Sequence, residues 1–289
     1  MNYFDPLSLQ KLHKTSHNST KNDNGLITVI GGSKLFHGAP LMAIKTASRF
    51  ADAVFFASPD PSVGEVASQI KAGLFPFIWV PWNEMEGYVV KSEAVLIGVG
   101  FRRFGTEMKR DIIKEIDICD EECQKTKKIT EKLLTKYASK RWVVDAGSIQ
   151  VIKPDILPVG CVVTPNQKEF RILFNEPTAV LDAKLVRETA EKYNLTIVLK
   201  GVGTIVSSPT ETTIVRGGNA GLTKGGTGDV QAGLTVALLA KNDPFLAASC
   251  AAYLVKKTAD ELYKTVGVNY NADDLANAIP AYFAGILVQ

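Results

Sequence analysis

The sequence predicts an α/β fold assembled from βαβ units, and three observations predict it. Short β-branched runs such as Leu26–Ile30, Ala94–Ile97 and Leu195–Leu199 recur between helix-like stretches, the alternation that builds βαβ units. Several of these runs end in small-residue turns, Gly31-Gly32-Ser33, Gly98-Val99-Gly100 and Asp145-Ala146-Gly147, where open α/β sheets receive ligands. Finally, Asn219–Lys241, NAGLTKGGTGDVQAGLTVALLAK, runs from a glycine loop straight into a nearly all-apolar segment, which reads as a buried helix with free N–H groups at its mouth.

The whole chain sets bounds on that reading. Its 289 residues with 46% hydrophobic content suit one large domain with a sizeable core. A net charge of +3 points to no nucleic-acid and no membrane partner, and no apolar run reaches spanning length. The first twenty residues lack the apolar centre of a signal peptide. Cys119, Cys123, Cys161 and Cys250 form no C-x-x-C pair and only three histidines are present, so reduced thiols in a cytoplasmic protein are expected and a zinc site is not.

Residues 1–24 are polar and read as an N-terminal arm with a short helix around Leu7–Leu12, leaving 25–289 as a single domain. Leu26–Ile30 is the first strand, a helix follows from about Leu41 to Ala51, and Val54–Ala57 completes a βαβ unit. Phe77–Val80 and Ala94–Ile97 are further strands. Asp120–Ser139 is a polar helix whose inward stripe is Ile129, Leu133, Leu134 and Tyr137. Trp142–Val144 delivers Asp145 to a strand end, where a carboxylate suits either Mg²⁺ or a substrate hydroxyl, or simply begins a turn. Cys161–Val163 leads into Thr164-Pro165-Asn166-Gln167-Lys168-Glu169-Phe170; the Asn-x-x-Glu spacing alone is also an ordinary helix cap. After a helix over Leu181–Tyr193, the strand Leu195–Leu199 ends in Lys200-Gly201-Val202-Gly203-Thr204. Thr204–Ser207 and Thr212–Val215 read as a hairpin. Helices over Phe245–Tyr263 and Asp273–Leu287 close the chain.

At the glycine loop, Asp229 has two readings. It is a favoured helix cap. A carboxylate beside an anion pocket would repel a bound phosphate, however, and has a use where an acceptor hydroxyl must lose a proton. The loop is neither a P-loop, since no Gly-Lys-Ser/Thr follows, nor a dinucleotide fingerprint.

Gly225-Gly226-Thr227-Gly228-Asp229 flowing into an apolar helix resembles the anion-hole signature of the ribokinase-like superfamily, and the wider stretch Gly218–Asp229 is similar to that of the ADP- or ATP-dependent NAD(P)H-hydrate dehydratases. The order strand-GGS, G-x-G, strand-D-A, T-P-x-x-x-E, K-G-x-x-T, G-G-T-G-D extends the resemblance from about Gly25 to the C-terminus. It implies a ribokinase-like three-layer α/β/α sandwich with a mostly parallel central sheet. The implied activity is repair of hydrated NADH and NADPH: the hydroxyl is phosphorylated from ADP or ATP with Mg²⁺, and phosphate is then eliminated. Asp229 would be catalytic. Lys200, Gly201, Val202, Gly203 and Thr204 with Gly225, Gly226, Thr227 and Gly228 would meet adenine nucleotide. Ala39, Gly98, Gly100, Asn166 and Asp229 would line the substrate side, and Asp145 and Glu169 would serve Mg²⁺ through the phosphates. A homo-oligomer, with a tetramer among the possibilities, is also implied. Three positions depart from the family: Val99 replaces a proline, Gly147 an aspartate and Asn166 a histidine. Because Asn-x-x-Glu also occurs in vitamin and sugar kinases of the superfamily, a small-molecule kinase is the alternative reading.

Overall fold

The structure, a computed structural model, describes residues 2–70, 73, 76–103, 119–178 and 180–287. The described strands form one sheet, β1 (Leu26–Ile30), β2 (Ala53–Ala57), β3 (Ile78–Trp79), β4 (Ala94–Ile97), β5 (Arg141–Val144), β6 (Val162–Val163), β7 (Thr196–Leu199), β8 (Thr204–Ser207) and β9 (Thr212–Val215), in the order β3-β2-β1-β4-β5-β6-β7-β8-β9. Pairings from β3 through β7 are parallel, while β7–β8 and β8–β9 are antiparallel. The expected hairpin is therefore β8–β9, added to the edge of a parallel sheet.

Both faces of this sheet are covered, which is why its strands read as continuous apolar runs rather than alternating ones. Side chains alternate between two cores. Ile27, Val29, Leu96 and Val143 face one, and Ile30, Val95, Ile97 and Val144 face the other. The first core is closed by α1 (Gly38–Ala47), α2 (Pro61–Ile70), α8 (Thr227–Leu239), α9 (Pro244–Val266) and α10 (Ala272–Leu287), and the second by α3 (Met85–Lys91), α4 (Glu121–Lys136), α5 (Ala146–Ile149), α6 (Gln167–Phe174) and α7 (Ala183–Tyr193). This is the expected three-layer sandwich. The apolar segment after the glycine loop is α8, buried continuously from Val230 to Leu239. It is apolar all round because it lies among the sheet, α1, α9 and α10.

Some local expectations shift. The first helix begins at Gly38 rather than Leu41 and ends at Ala47, because Pro40 falls in the first turn, where its missing N–H is no loss. The strand expected over Phe77–Val80 pairs only at Ile78–Trp79, and α2 and α3 had no counterpart in the sequence reading. The polar N-terminal segment docks on the fold. Leu9 and Leu12 are buried in the first core, and Phe4 N donates to Ile214 O at 3.1 Å while Ile214 N donates to Asn2 O at 2.9 Å, covering the β9 edge. Cys119 and Cys123 are joined as a disulfide at the start of α4, where reduced thiols were expected. Their i,i+4 spacing brings the Cα atoms to 5.2 Å, a normal bridging distance. Cys161 and Cys250 are free and buried. Among the described residues, no helix is long and apolar enough to cross a membrane.

Candidate active site

Strand register assembles the site. Ile30 pairs with Ile97, Ile97 with Val144, and Val144 with Val163, so the next residues, Gly31, Gly98, Asp145 and Thr164, form one row along the carboxyl edge of the sheet. Lys200 lies one strand further on and two positions past this row, opposite Asn166, held by its N–H donating to Pro165 O at 2.8 Å, and its side chain reaches back to the row.

Asp145 is 2% exposed at its side chain, and its Oδ1 accepts from Lys200 Nζ at 2.9 Å and from Thr164 Oγ1 at 2.6 Å. Burial by itself would lower the Lys200 ammonium; the nearby carboxylates of Asp145 and Glu169 outweigh it and hold Lys200 above its ordinary value. Glu169 is buried as well. Burial, aided by Asp145, raises its carboxyl against the pull of Lys200. Its Oε2 accepts from Asn166 N at 2.9 Å and its Oε1 from Gln150 Nε2 at 3.0 Å, while Asn166 Oδ1 accepts from Glu169 N at 2.9 Å. Asn166 and Glu169 thus form a complete capping box on α6.

The residue after Asp145 is strained. Ala146 adopts φ 47°, a conformation costly for a residue with a Cβ. At Gly147 a Cβ would stand 2.3 Å from Phe101 O, so the close approach of the chain favours glycine there.

The α8 end of the site is built by Gly226, the helix N-cap, at φ 92°. A Cβ there would lie 2.8 Å from Ala272 Cβ, so only glycine makes the turn against α10. Thr227 Oγ1 donates to Leu222 O at 2.7 Å and Lys224 O at 2.9 Å, and Lys224 Nζ donates to Tyr270 O at 2.6 Å, pinning the loop. Asp229 is the third residue of α8 rather than its cap, which removes the capping explanation. It is half-buried; burial first, then the charges of Asp145 and Glu169, push its carboxyl up to about 7 against the opposing Lys200 ammonium.

Between these elements lies a cavity of ≈ 590 Å³ lined by Asn166, Lys200, Gly201, Val202, Thr204, Thr227 and Gly228, together with Gly217, Gly218, Asn219, Ala220, Leu222, Thr223, Gln231, Val255 and Lys256. Six of the nine residues expected at nucleotide are in this lining; Gly203, Gly225 and Gly226 are not. Ala39, Gly98 and Gly100 gather elsewhere, at the ends of β1 and β4: a Cβ on Gly100 would lie 3.2 Å from Ala39 Cβ, and one on Gly98 would meet Asp145 O. Asp229, at the mouth of α8, feels the charges of the strand-end row, while its neighbour Gly228 lines the cavity and lies close to Lys200.

Sequence reasoning missed Lys256. It is 5% exposed in α9, and its Nζ donates to Gly201 O at 3.0 Å, Val202 O at 2.8 Å and Gly217 O at 3.0 Å. Burial lowers its ammonium below the ordinary lysine value. A cation inside an otherwise apolar stripe, Ala-Ala-Tyr-Leu-Val-Lys, was the available signal.

The model of the NAD(P)H-hydrate dehydratase family matches residues 120–281. The chain is 33% identical over 279 residues to the bifunctional NAD(P)H-hydrate repair enzyme of Methanocaldococcus jannaschii, covering 94% of this chain and 50% of that protein. It is 29% identical over 283 residues to the ADP-dependent (S)-NAD(P)H-hydrate dehydratase of Cenarchaeum symbiosum, covering 91% and 90%. The chain therefore spans about half the length of the bifunctional relatives. Among solved structures, the ADP/ATP-dependent NAD(P)H-hydrate dehydratase of Bacillus subtilis, co-crystallized with ATP/Mg²⁺, superposes with a TM-score of 0.77 at 20% identity over 99% of this chain and 98% of that one. A ribokinase-like superfamily protein of Enterococcus faecalis gives 0.81 at 22% over 99% and 96%. These two likenesses establish the ribokinase-like fold.

Proposed function

Because the chain belongs to the NAD(P)H-hydrate dehydratase family, we propose that it restores hydrated NADH and NADPH using ADP or ATP as phosphoryl donor. The observation that carries this reading is Asp229: a half-buried carboxylate in the first turn of α8, near Lys200, with its proton affinity raised to about 7. A general base works best when its pKa lies near the working pH.

In this reading the nucleotide occupies the ≈ 590 Å³ cavity, with its phosphates between Lys200 and the glycine mouth of α8. The Asp229 carboxylate takes the proton of the hydrate hydroxyl as that oxygen bonds to the terminal phosphorus. The bond from phosphorus to the nucleotide's bridging oxygen breaks, and the shortened nucleotide leaves with the electron pair. The Gly226 and Gly228 N–H groups at the mouth of α8 offset charge on the moving group in this reading, while that of Thr227 donates to Lys224 O. The carbon–oxygen bond of the phosphorylated hydrate then breaks, orthophosphate departs with that pair, and loss of a proton from the neighbouring ring carbon restores the double bond.

For Mg²⁺, the observed donor set is not a cage. The oxygens of Asp145 and Glu169 accept from Lys200, Thr164, Asn166 and Gln150, and no cluster of three ligating side chains occurs among the described residues. The two carboxylates fit Mg²⁺ only as countercharges to an ion carried on the nucleotide phosphates, where it would neutralise phosphate charge.

The kinase alternative drew on the Asn166-x-x-Glu169 spacing, and the capping box accounts for that spacing without a ligand. A cytoplasmic location and assembly into a homo-oligomer remain part of this proposal, the latter open to light scattering. The test of function is incubation with hydrated NADH or NADPH, Mg²⁺ and each of ADP and ATP, following nicotinamide absorbance and free phosphate. Recovery of reduced nicotinamide with equimolar phosphate supports the dehydratase. A stable phosphorylated product would establish a kinase instead.

A further inference from the structure

Gln231 sits in the second turn of α8, three residues after Gly228 and four after Thr227, on the helix face those two residues present to the cavity. It is only 7% exposed, and its Nε2 is sealed from solvent with no hydrogen-bond partner among the described residues. An unpaired buried amide is costly in a protein interior, and an acceptor brought by a ligand would remove that cost. The neighbouring cavity wall decides what kind of ligand atom this is. Leu222 and Val255 line the same cavity and give it apolar wall, unlike the Lys200 and glycine end, which suits phosphate. A flat heteroaromatic ring suits an apolar wall, and a carboxamide at its edge can pair bidentately with adenine, donating to N7 and accepting from the N6 amine.

Resting on the reading that this cavity holds a nucleotide, we propose that Gln231 selects the base: it is the specificity residue for adenine seated against the Leu222 and Val255 part of the wall. On that N7/C6 edge a 6-oxo purine presents two acceptors where adenine presents an acceptor and a donor, so it satisfies only half of the carboxamide. One such bidentate pair corresponds to a preference of roughly 5- to 150-fold.

The experiment titrates ADP and IDP calorimetrically into the full chain and into Gln231→Leu, with Gln231→Met as a second, unbranched variant should the first fail to fold. Wild type is expected to prefer ADP within that range, and the variants to bind both nucleotides with similar Kd. Unliganded variants are expected to melt no lower than wild type, since an unpaired buried donor has been removed. An unchanged ADP-to-IDP ratio in a folded variant would overturn the base assignment and leave the nucleotide cavity standing. Equal weakening of both nucleotides would place Gln231 at ribose or phosphate and overturn it too. Wild type that binds neither nucleotide overturns the cavity reading itself.

Discussion

Replacing Asp229 with Asn separates proton chemistry from shape. The amide has the size of the carboxylate, and Asp229 is not the cap of α8, so the helix has no reason to unravel. What disappears is a base whose pKa is displaced from 3.8 to about 7. General-base assistance is typically worth about 10²–10⁴-fold, and turnover on hydrated NADH should fall by that factor. Nucleotide affinity should hold or tighten, because a negative charge near the phosphates is gone. Wild-type kcat/KM should climb about tenfold per pH unit below pH 7 and level off above it, while residual activity of the variant lacks that limb. Stability gives an independent readout. A carboxyl whose folded pKa is raised binds its proton more tightly folded than unfolded, so stability declines as pH rises from about 4 to about 7 and stays low above that window. At about 1.36 kcal/mol per unit, the displacement bounds the effect at about 4 kcal/mol. The partial solvent access of the carboxylate reduces it to about 1–2 kcal/mol. Asp229→Asn should therefore be more stable than wild type at pH 8 and indistinguishable from it below pH 4, measured by urea unfolding without ligand. A folded variant that keeps most of its activity would refute the catalytic assignment. A variant equally stable with wild type at both pH values would refute the buried-carboxylate argument.

Three further predictions concern the surrounding frame. Lys256→Met should leave three carbonyls of the 201–217 region without their donor and raise Kd for ADP about tenfold, roughly one lost charge-assisted bond, with kcat little changed; calorimetry and steady-state kinetics separate the two, and unchanged affinity would remove Lys256 from the nucleotide loop. Gly147→Asp, which restores the family residue, should destabilise by about 1–3 kcal/mol because its Cβ meets Phe101 O, and a urea midpoint equal to wild type would contradict that contact. Asn166→Ala should lower stability by about 1 kcal/mol as the α6 cap is lost; if Asn166 serves only as a cap, KM for hydrate stays put, whereas a raised KM in a stably folded variant would give it a substrate contact as well.

Local sequence was enough to find the elements whose chemistry is local. Strand runs closed by glycine turns, the hairpin at Thr204–Val215 and the continuous apolar stretch of α8 each carry their signal within a few residues, because backbone freedom and side-chain patterning act over one or two turns. The motif around Asp229 and the Lys200–Thr204 segment were legible as site elements chiefly through their resemblance to a known family, since spacing alone allows a helix cap and a glycine turn. The short helices α2 and α3 were not: what holds them is packing against the sheet, through Val63 and Ala67 in one core and Met85 and Val89 in the other.

Tertiary structure alone decided the relations across the chain. Parallel pairing sets Asp145 beside Thr164 and brings the Lys200 ammonium onto the same carboxylate although 55 residues separate the ion pair, and sequence has no measure of that distance. The crowding at Gly147 is likewise set by the fold, since the atom a Cβ would meet belongs to a loop more than 40 residues earlier. Tertiary structure also showed that Asn166 and Glu169 cap α6, and turned Lys256 from one lysine among many into the donor that ties two loops together. Residue identity supplies the groups that can carry charge or a proton; burial and neighbours, set only when the sheet and helices close, determine how tightly Asp229 holds its proton and which carbonyls Lys256 must satisfy.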